Sequence, residues 1–159
     1  MHEIPCQRIL IVEDEPDIQQ VLTFFLQHSG FETLTASDGQ EAIRIIPEFR
    51  PHLIILDLIM RPVPGWEVLR WLRANQLASF IPVLIVSALF NISEQVHGFE
   101  EGAVEYLTKP TQPSIIVEHV RMILGLDAEQ RARLQQKHID ERRRILERIR
   151  NAQSDGLTF

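Results

Sequence analysis

The chain has 159 residues, enough for one domain with an appendage, and its hydrophobic content of 45% supports a buried core. A net charge of −6 argues against wholesale nucleic-acid binding, and a single cysteine, Cys6, excludes an intrachain disulfide and a cysteine-ligated metal site. The sequence shows neither a signal-peptide pattern at its start nor an apolar run near the roughly 20 residues that cross a bilayer, so we expect a soluble cytoplasmic protein.

The first half of the chain alternates between strand and helix patterns. Residues 9–12 form an apolar run that predicts a strand, and Pro16 then opens a helix at a position where its missing N–H would be unbonded anyway. Residues 31–36 alternate in polarity and contain two threonines, which predicts a second strand. In the following helix we expect Pro47 to end or distort the element early, because proline removes a hydrogen-bond donor.

The second half continues this alternation. Residues 53–56 are apolar without interruption, as in a strand buried on both faces of a parallel sheet, and they lead to a single carboxylate, Asp57. Two further strands are predicted at residues 82–86 and 104–107, each followed by a helix. Five strands alternating with five helices predict a parallel sheet covered on both faces, with right-handed crossovers.

Polar residues stand where these strands end. Glu13 and Asp14 follow the first strand, Asp57 the third, Ser87 the fourth and Lys109 the fifth. Because the carboxyl ends of parallel strands meet at one edge of a sheet, we expect these side chains to converge. Clustered carboxylates repel one another unless a cation joins them, and Mg²⁺ held by carboxylates, phosphate oxygens and water fits that need. A lysine beside it could bind phosphate as a point charge.

The C-terminal segment differs from the rest of the chain in charge and pattern. Residues 1–126 carry a net charge of −8, whereas residues 129–150 carry +4. Residues 128–150 contain no glycine or proline and are rich in helix-forming residues, which predicts a helix. We allow for this helix being continuous with the last helix of the domain, and we expect residues 151–159 to fray.

One side of the C-terminal helix carries a narrow apolar stripe for which we expect no partner within the chain. We favour a homodimer formed by coiled-coil pairing of the stripe, but the helix could also be a stalk towards an output domain or a basic arm. The glutamates between the basic residues indicate ion pairs within the helix and not a basic surface for nucleic acid, so we do not expect nucleic acid as a partner. The stripe comprises His138, Ile139, Arg142, Ile145, Leu146 and Ile149.

Four features in this order, each at a strand end, resemble the receiver domain of two-component response regulators. They are the acidic cluster at Glu13, the lone Asp57, the Ser-Ala pair at Ser87 and the Lys-Pro pair at Lys109. The resemblance covers roughly residues 7–125 and implies a flavodoxin-like, doubly wound (βα)5 fold with strand order 2-1-3-4-5. A helical extension at residues 126–150 would follow this domain.

The resemblance implies that Asp57 is the phosphoacceptor. Its carboxylate would take a phosphoryl group from a phosphohistidine on a histidine kinase or a phosphotransfer protein, which forms an acyl phosphate. Asp14 would bind Mg²⁺ directly, Glu13 would hold it through water, and the backbone carbonyl of Ile59 would complete the coordination together with Asp57. Such a protein is a switch and not an enzyme, apart from self-catalysed phosphoryl transfer and slow autodephosphorylation.

The resemblance also implies residues that respond to the phosphoryl group. The Ser87 hydroxyl would donate to a phosphoryl oxygen, and Lys109 would pair with the group. Tyr106 would be the switch aromatic, which turns inward when Ser87 is drawn towards the phosphate. The peptide bond between Lys109 and Pro110 is expected to be cis.

The loop after Asp57 departs from the family pattern, because its proline has moved one place and Pro64 stands where an acid is usual. Arg61 in this loop could pair with an acid of the site or with the phosphoryl group, or it could be solvated. Ile59 and Leu89, both apolar, stand two positions after the acceptor and the switch hydroxyl. We expect them to shield the acyl phosphate and make it long-lived.

Two alternatives compete with a stand-alone receiver that signals through protein contacts. The first is a Mg²⁺-dependent, phosphatase-like hydrolase on the same scaffold with Asp57 as a covalent nucleophile. Such hydrolases usually carry an acid two residues later, where this chain has Ile59. The second is a receiver fragment of a larger regulator whose output domain lies outside this sequence.

Overall fold

Five parallel strands form a sheet at the centre of the protein, in a computed structural model that describes residues 5–156. In chain order the strands are β1 (Arg8–Val12), β2 (Glu32–Ala36), β3 (Leu53–Leu56), β4 (Val83–Ser87) and β5 (Glu105–Thr108). Their order across the sheet is β2-β1-β3-β4-β5, and every neighbouring pair is parallel. The predicted fold and strand order are therefore confirmed.

Helices follow the strands and cover both faces of the sheet. They are α1 (Pro16–His28), α2 (Gly39–Phe49), α3 (Trp66–Ala74), α4 (Ile92–Glu100), α5 (Pro113–Leu124) and α6 (Ala128–Ser154). α1 and α5 pack on one face, and α2, α3 and α4 pack on the other. Cover on both faces explains why β3 is apolar along its whole length and β4 is apolar as far as Val86. No helix among residues 5–156 combines the length and the apolar character that a bilayer crossing requires.

Helix α2 continues past Pro47 to Phe49, so this proline does not end the helix as we had expected it could. Ala42 and Ile46 of α2 are buried against the sheet. Pro47 stands close to the end of the helix, and this packing outweighs the single hydrogen bond that the proline removes there.

A break at residues 125–127 separates α5 from α6, so the two last helices are not continuous. Asp127 begins α6 with a capping box. Its carboxylate accepts a hydrogen bond from the Gln130 amide at 2.8 Å, and its own amide donates to the Gln130 side chain at 2.9 Å. Helix α6 reaches Ser154, beyond the point where we expected fraying, and residues 157–159 lie outside the described residues.

Helix α6 folds back along α4 and the edge strand β5. Ile139 of α6 is buried in the same apolar cluster as Phe99 of α4 and Tyr106 of β5. The expectation that the stripe has no partner within the chain is therefore wrong for its first half. Further along α6, Ile145 and Ile149 remain 42% and 40% exposed. Periodicity shows that a helix has an apolar side but not which other element covers it.

Candidate functional site

Four strands deliver a polar side chain to the same edge of the sheet. Glu13 follows β1, Asp57 follows β3, Ser87 ends β4 and Lys109 follows β5. Backbone hydrogen bonds hold these positions in register. The Asp57 amide donates to the Val12 carbonyl at 3.0 Å, and the Lys109 amide donates to the Ser87 carbonyl at 2.9 Å. The structure thus brings together the residues that the sequence placed at strand ends.

The ammonium of Lys109 joins the two buried acids of this edge. Its Nζ donates to Oε1 and Oε2 of Glu13 at 3.0 Å each, and to Oδ2 of Asp57 at 3.0 Å. Glu13 and Asp57 are only 3% and 4% exposed, so water and salt screen their charges poorly. The two acids stay side by side because they share one cation, since an unpaired buried charge would be strongly unfavourable.

Burial and neighbouring charges shift the proton equilibria of this cluster. Burial raises the pKa of Glu13 to about 7, and the charge of Asp57 adds to the rise although Lys109 opposes it. Burial alone would lower the pKa of Lys109, but hydrogen bonds to Glu13 and Asp57 outweigh burial and leave that pKa above its ordinary value. Lys109 is therefore a cation at neutral pH.

Three carboxylates at this edge form a group that could hold a metal ion. One oxygen from each of Glu13, Asp14 and Asp57 lies within 4.8 Å of the others. Asp14 is exposed while the other two acids are buried, so the group is open to solvent on one side. Mg²⁺ prefers oxygen ligands and usually keeps several waters. The donor set and its half-open position therefore fit the predicted Mg²⁺.

The loop after β3 closes tightly around Asp57. The amide of Ile59 donates to Oδ1 of Asp57 at 3.1 Å, and the Ile59 side chain is 50% exposed at the rim of the site. A Cβ added at Gly65 would come within 2.1 Å of the Asp57 carbonyl oxygen, so only glycine allows this close approach. This role of Gly65 was not predicted, although a glycine next to Pro64 is a signal for a tight turn.

Ser87 and Tyr106 meet through the backbone of Leu89. Ser87 is fully buried, and its Oγ accepts a hydrogen bond from the Leu89 amide at 3.3 Å. The Tyr106 side chain is also buried, and its hydroxyl donates to the Leu89 carbonyl at 2.7 Å. Burial raises the pKa of Tyr106 to about 12, so the hydroxyl remains a donor at neutral pH. The two predicted switch residues are thus linked across one loop.

The remaining predicted features of the site are found at its margin. The peptide bond between Lys109 and Pro110 is cis, as expected, and the bond between Arg61 and Pro62 is also cis, which was not predicted. Arg61 is exposed, and none of the ion pairs in the described part of the chain includes it. In this state Arg61 therefore pairs with neither Glu13 nor Glu15.

An apolar crevice of about 540 Å³ opens beside the acids, between α1 and α5. One end of the crevice reaches Asp57 and Lys109, and its walls include Ile18, Leu22 and Ile116. The crevice was not predicted, because α1 and α5 are far apart in the sequence. Its position allows an apolar surface to pack there while a polar group on the same surface reaches Asp57.

Comparison with known proteins finds one matching family and several relatives. The family model of the response regulator receiver domain matches residues 9–121. The DNA-binding response regulator MtrA of Mycolicibacterium smegmatis is 36% identical over 128 residues, which are 80% of this chain and 55% of that protein. The DNA-binding dual master transcriptional regulator RpaA of Synechocystis is 36% identical over 117 residues, 74% of this chain and 48% of that protein. The chain spans about half the length of these curated relatives.

Solved structures share the fold. The chemotaxis response regulator CheY4 of Vibrio cholerae is 28% identical with a TM-score of 0.70, over 75% of this chain and 99% of that chain. The receiver domain of the Francisella response regulator 1452 is also 28% identical with a TM-score of 0.70, over 74% of this chain and 96% of that chain. Because MtrA and RpaA are DNA-binding proteins by name, the relatives do not support the expectation that nucleic acid is no partner.

Proposed function

Because the chain belongs to the response regulator receiver domain family, we propose that it is a switch whose Asp57 accepts a phosphoryl group from a phosphohistidine. The donor would be a histidine kinase or a phosphotransfer protein. The observation that carries this proposal is the contact of Lys109 with both Asp57 and Glu13 at 3.0 Å. A buried carboxylate that shares a cation with a second acid is suited to receive an anionic group.

The chemistry of the transfer is a displacement at phosphorus. A carboxylate oxygen of Asp57 forms a P–O bond while the P–N bond to the donor histidine breaks, and the released imidazole takes up a proton from water. Phosphoryl transfer depends mainly on positioning and on neutralisation of charge. The Ile59 amide holds Oδ1 of Asp57 and Lys109 holds Oδ2, so two donors fix the orientation of the nucleophile.

Glu13, Asp14 and Asp57, with the carbonyl of Ile59, would hold Mg²⁺ in this protein. The bound ion supplies positive charge beside the phosphoryl oxygens. Lys109 contributes a second positive charge from the protein itself, and its raised pKa keeps that charge at neutral pH. Ser87, at the end of β4, would donate its hydroxyl to a phosphoryl oxygen while its oxygen accepts from the Leu89 amide.

The crevice between α1 and α5 is where we place the donor protein. Val21 on α1, which lines the crevice, and Ile59, in the loop after Asp57, are 44% and 50% exposed. Exposed apolar side chains next to a reactive group favour a protein surface over a free small molecule as the natural donor. Small phosphodonors should still react, because Asp57 is reached from the same side.

The output of the switch is proposed to pass through protein contacts in the cytoplasm, including a homodimer of α6. The outer side of α6 carries charges of both signs, with Asp140 and Glu141 beside Lys137 and Arg144. This mixed pattern favours protein over nucleic-acid contacts. The DNA-binding relatives make a direct test necessary. A salt-dependent affinity for duplex DNA would count against this part of the proposal.

Incubation with Mg²⁺ and acetyl phosphate tests the central step. Intact-mass measurement should show the addition of one phosphoryl group to the wild-type chain. Asp57→Ala should show none, whereas Glu32→Ala, which removes an exposed acid of the edge strand β2, should behave as wild type. An unchanged wild-type mass would contradict the proposed function. Steady turnover of a simple phosphate ester would favour the phosphatase-like alternative.

A further inference from the structure

Helix α6 covers the outer side of α4 with specific contacts. Arg142 donates through Nε to Oε1 of Gln95 at 2.7 Å, and its guanidinium lies 4.7 Å from the centre of the Phe99 ring. Ile139, one turn earlier on α6, is 6% exposed and belongs to the same cluster as Phe99. α6 is therefore packed against the domain and is not a free extension.

The same helix also reaches the edge strand β5. Nε2 of His138 lies 3.1 Å from Oε2 of Glu105, and both side chains are largely buried. The His138 ring stacks on Phe99 with the ring centres 4.8 Å apart. This is a specific interface, because undocking of α6 would break the contact of His138 with Glu105 and expose Ile139 and Phe99 to water.

A series of direct contacts leads from this interface to Ser87, at the same edge of the sheet as Asp57. Phe99 has no exposed surface and lies between α6 and Tyr106, with the Phe99 and Tyr106 ring centres 6.3 Å apart. Gly98 allows α4 to approach closely, since a Cβ there would lie 3.3 Å from the Tyr106 ring. The Tyr106 hydroxyl holds the Leu89 carbonyl, and the Leu89 amide is bonded to Ser87.

We propose that α6 is an intramolecular brace that holds Tyr106 in its buried position and thereby favours phosphoryl binding at Asp57. An outward Tyr106 would leave the cluster that it shares with Phe99 and Ile139, and would turn towards a surface that α6 covers. This inference rests on the proposed function, in which the phosphoryl group accepts a hydrogen bond from Ser87 and thereby also favours the buried position of the Tyr106 side chain. Because docking of α6 and binding of the phosphoryl group favour the same state of Tyr106, each strengthens the other by the same factor.

Binding of beryllofluoride with Mg²⁺, a phosphoryl mimic, measures this coupling by calorimetry. The double variant Ile139→Ala with Arg142→Ala removes the two central contacts of the brace. Its affinity for the mimic should fall about fivefold or more, the lower end of usual allosteric couplings. The matched control is Glu147→Ala with Arg148→Ala, which truncates two exposed side chains of the same helix outside the stripe and should bind as wild type.

Hydrogen exchange on the same samples tests the reciprocal effect. Amides of α6 and α4 should exchange more slowly when the wild-type protein binds the mimic. In the double variant Ile139→Ala with Arg142→Ala, amides of α6 should exchange faster than in wild type. Faster exchange of α6 with unchanged affinity would overturn the coupling, and unchanged exchange of α6 in that variant would overturn the role of these contacts. Failure of wild type to bind the mimic, with Asp57→Ala as reference, would instead count against the proposed function.

Discussion

Nζ of Lys109 lies 3.0 Å from Oδ2 of Asp57, although the two residues are 52 positions apart in the sequence. The same ammonium holds Glu13, so one cation serves two buried carboxylates. Removing the cation leaves two neighbouring buried acids without a positive partner, so that one of them must take up a proton, whereas removing one carboxylate leaves a complete ion pair. The two kinds of substitution should therefore change stability in different directions.

We expect Lys109→Met to lower the free energy of unfolding by about 2 kcal/mol at neutral pH, because it leaves Glu13 and Asp57 without their shared cation. Asp57→Asn should be neutral or stabilising by up to about 1 kcal/mol, since it removes repulsion and keeps the pair of Glu13 and Lys109. Urea unfolding of both variants measures this difference. If Asp57→Asn were as unstable as Lys109→Met, repulsion between Glu13 and Asp57 would not be what lowers the stability of the wild-type cluster.

The acyl phosphate should be long-lived in this protein. Ile59 is half exposed at the rim of the site and Leu89 packs partly on the core, so neither position offers a base to a water molecule. A wild-type half-life of minutes or longer is expected, and Ile59→Glu should shorten it about tenfold by supplying a general base. Phosphate release after removal of the donor measures the rate, with Phe80→Glu, at an exposed position outside the site, as a control of equal charge. A wild-type half-life of seconds would contradict this shielding.

Gly98→Ala should not give the stabilisation of about 1 kcal/mol that alanine usually brings inside a helix. Its Cβ would lie 3.0 Å from Cδ1 of Ile85 and 3.3 Å from the Tyr106 ring, so these packed side chains or α4 itself would have to shift. We expect a neutral or destabilised protein in thermal unfolding. Ser93→Ala, at an exposed position of the same helix, provides the comparison. A clear gain in stability for Gly98→Ala would show that α4 moves without resistance.

Most of the fold could be predicted because buried parallel strands are distinctive in composition. Strand β3 occupies the predicted residues 53–56, and β5 is displaced by one residue to Glu105–Thr108. The end of β5 is set by pairing with β4, where the Lys109 amide donates to the Ser87 carbonyl. Composition does not contain this information, because the bond joins residues of different strands.

The convergence of Asp57, Ser87 and Lys109 could be predicted because topology alone brings the ends of parallel strands to one edge. The position of α6 could not. His138 reaches Glu105, which is 33 positions away, and a helical pattern does not name the surface that covers it. The close approach of Gly65 to Asp57 was also missed, because it depends on how a loop folds back in space.

Docking of α6 should weaken at acidic pH through Glu105. Burial would raise the pKa of Glu105, but hydrogen bonds from His138 and the Tyr106 amide outweigh burial and leave it below its ordinary value of 4.5. A carboxyl whose pKa is lower in the folded than in the unfolded state stabilises the folded state at pH values above the unfolded pKa. This stabilisation is lost as the pH falls through the folded pKa.

Urea unfolding from pH 7 down to below about 4 tests this dependence. Glu105→Gln should be less stable than wild type at neutral pH, and the difference should shrink as the pH falls below about 4.5, where wild type loses the same charge. Glu118→Gln, which removes an exposed acid of α5, should show no such convergence. A difference that stays constant over this range would show that Glu105 does not hold α6 through its charge.

Homodimerisation should depend on the part of the α6 stripe that α4 leaves free. Ile139 and Arg142 contact α4, whereas Ile145 and Ile149 are exposed and Leu146 is half-buried. Because the free apolar area is small, we expect a dimer with a dissociation constant in the micromolar range or weaker. Sedimentation equilibrium should show that Ile145→Glu with Ile149→Glu is monomeric at concentrations where wild type dimerises. A dimer retained by this variant would place the contact away from the stripe, since two buried carboxylates per chain could not remain at a paired helical interface.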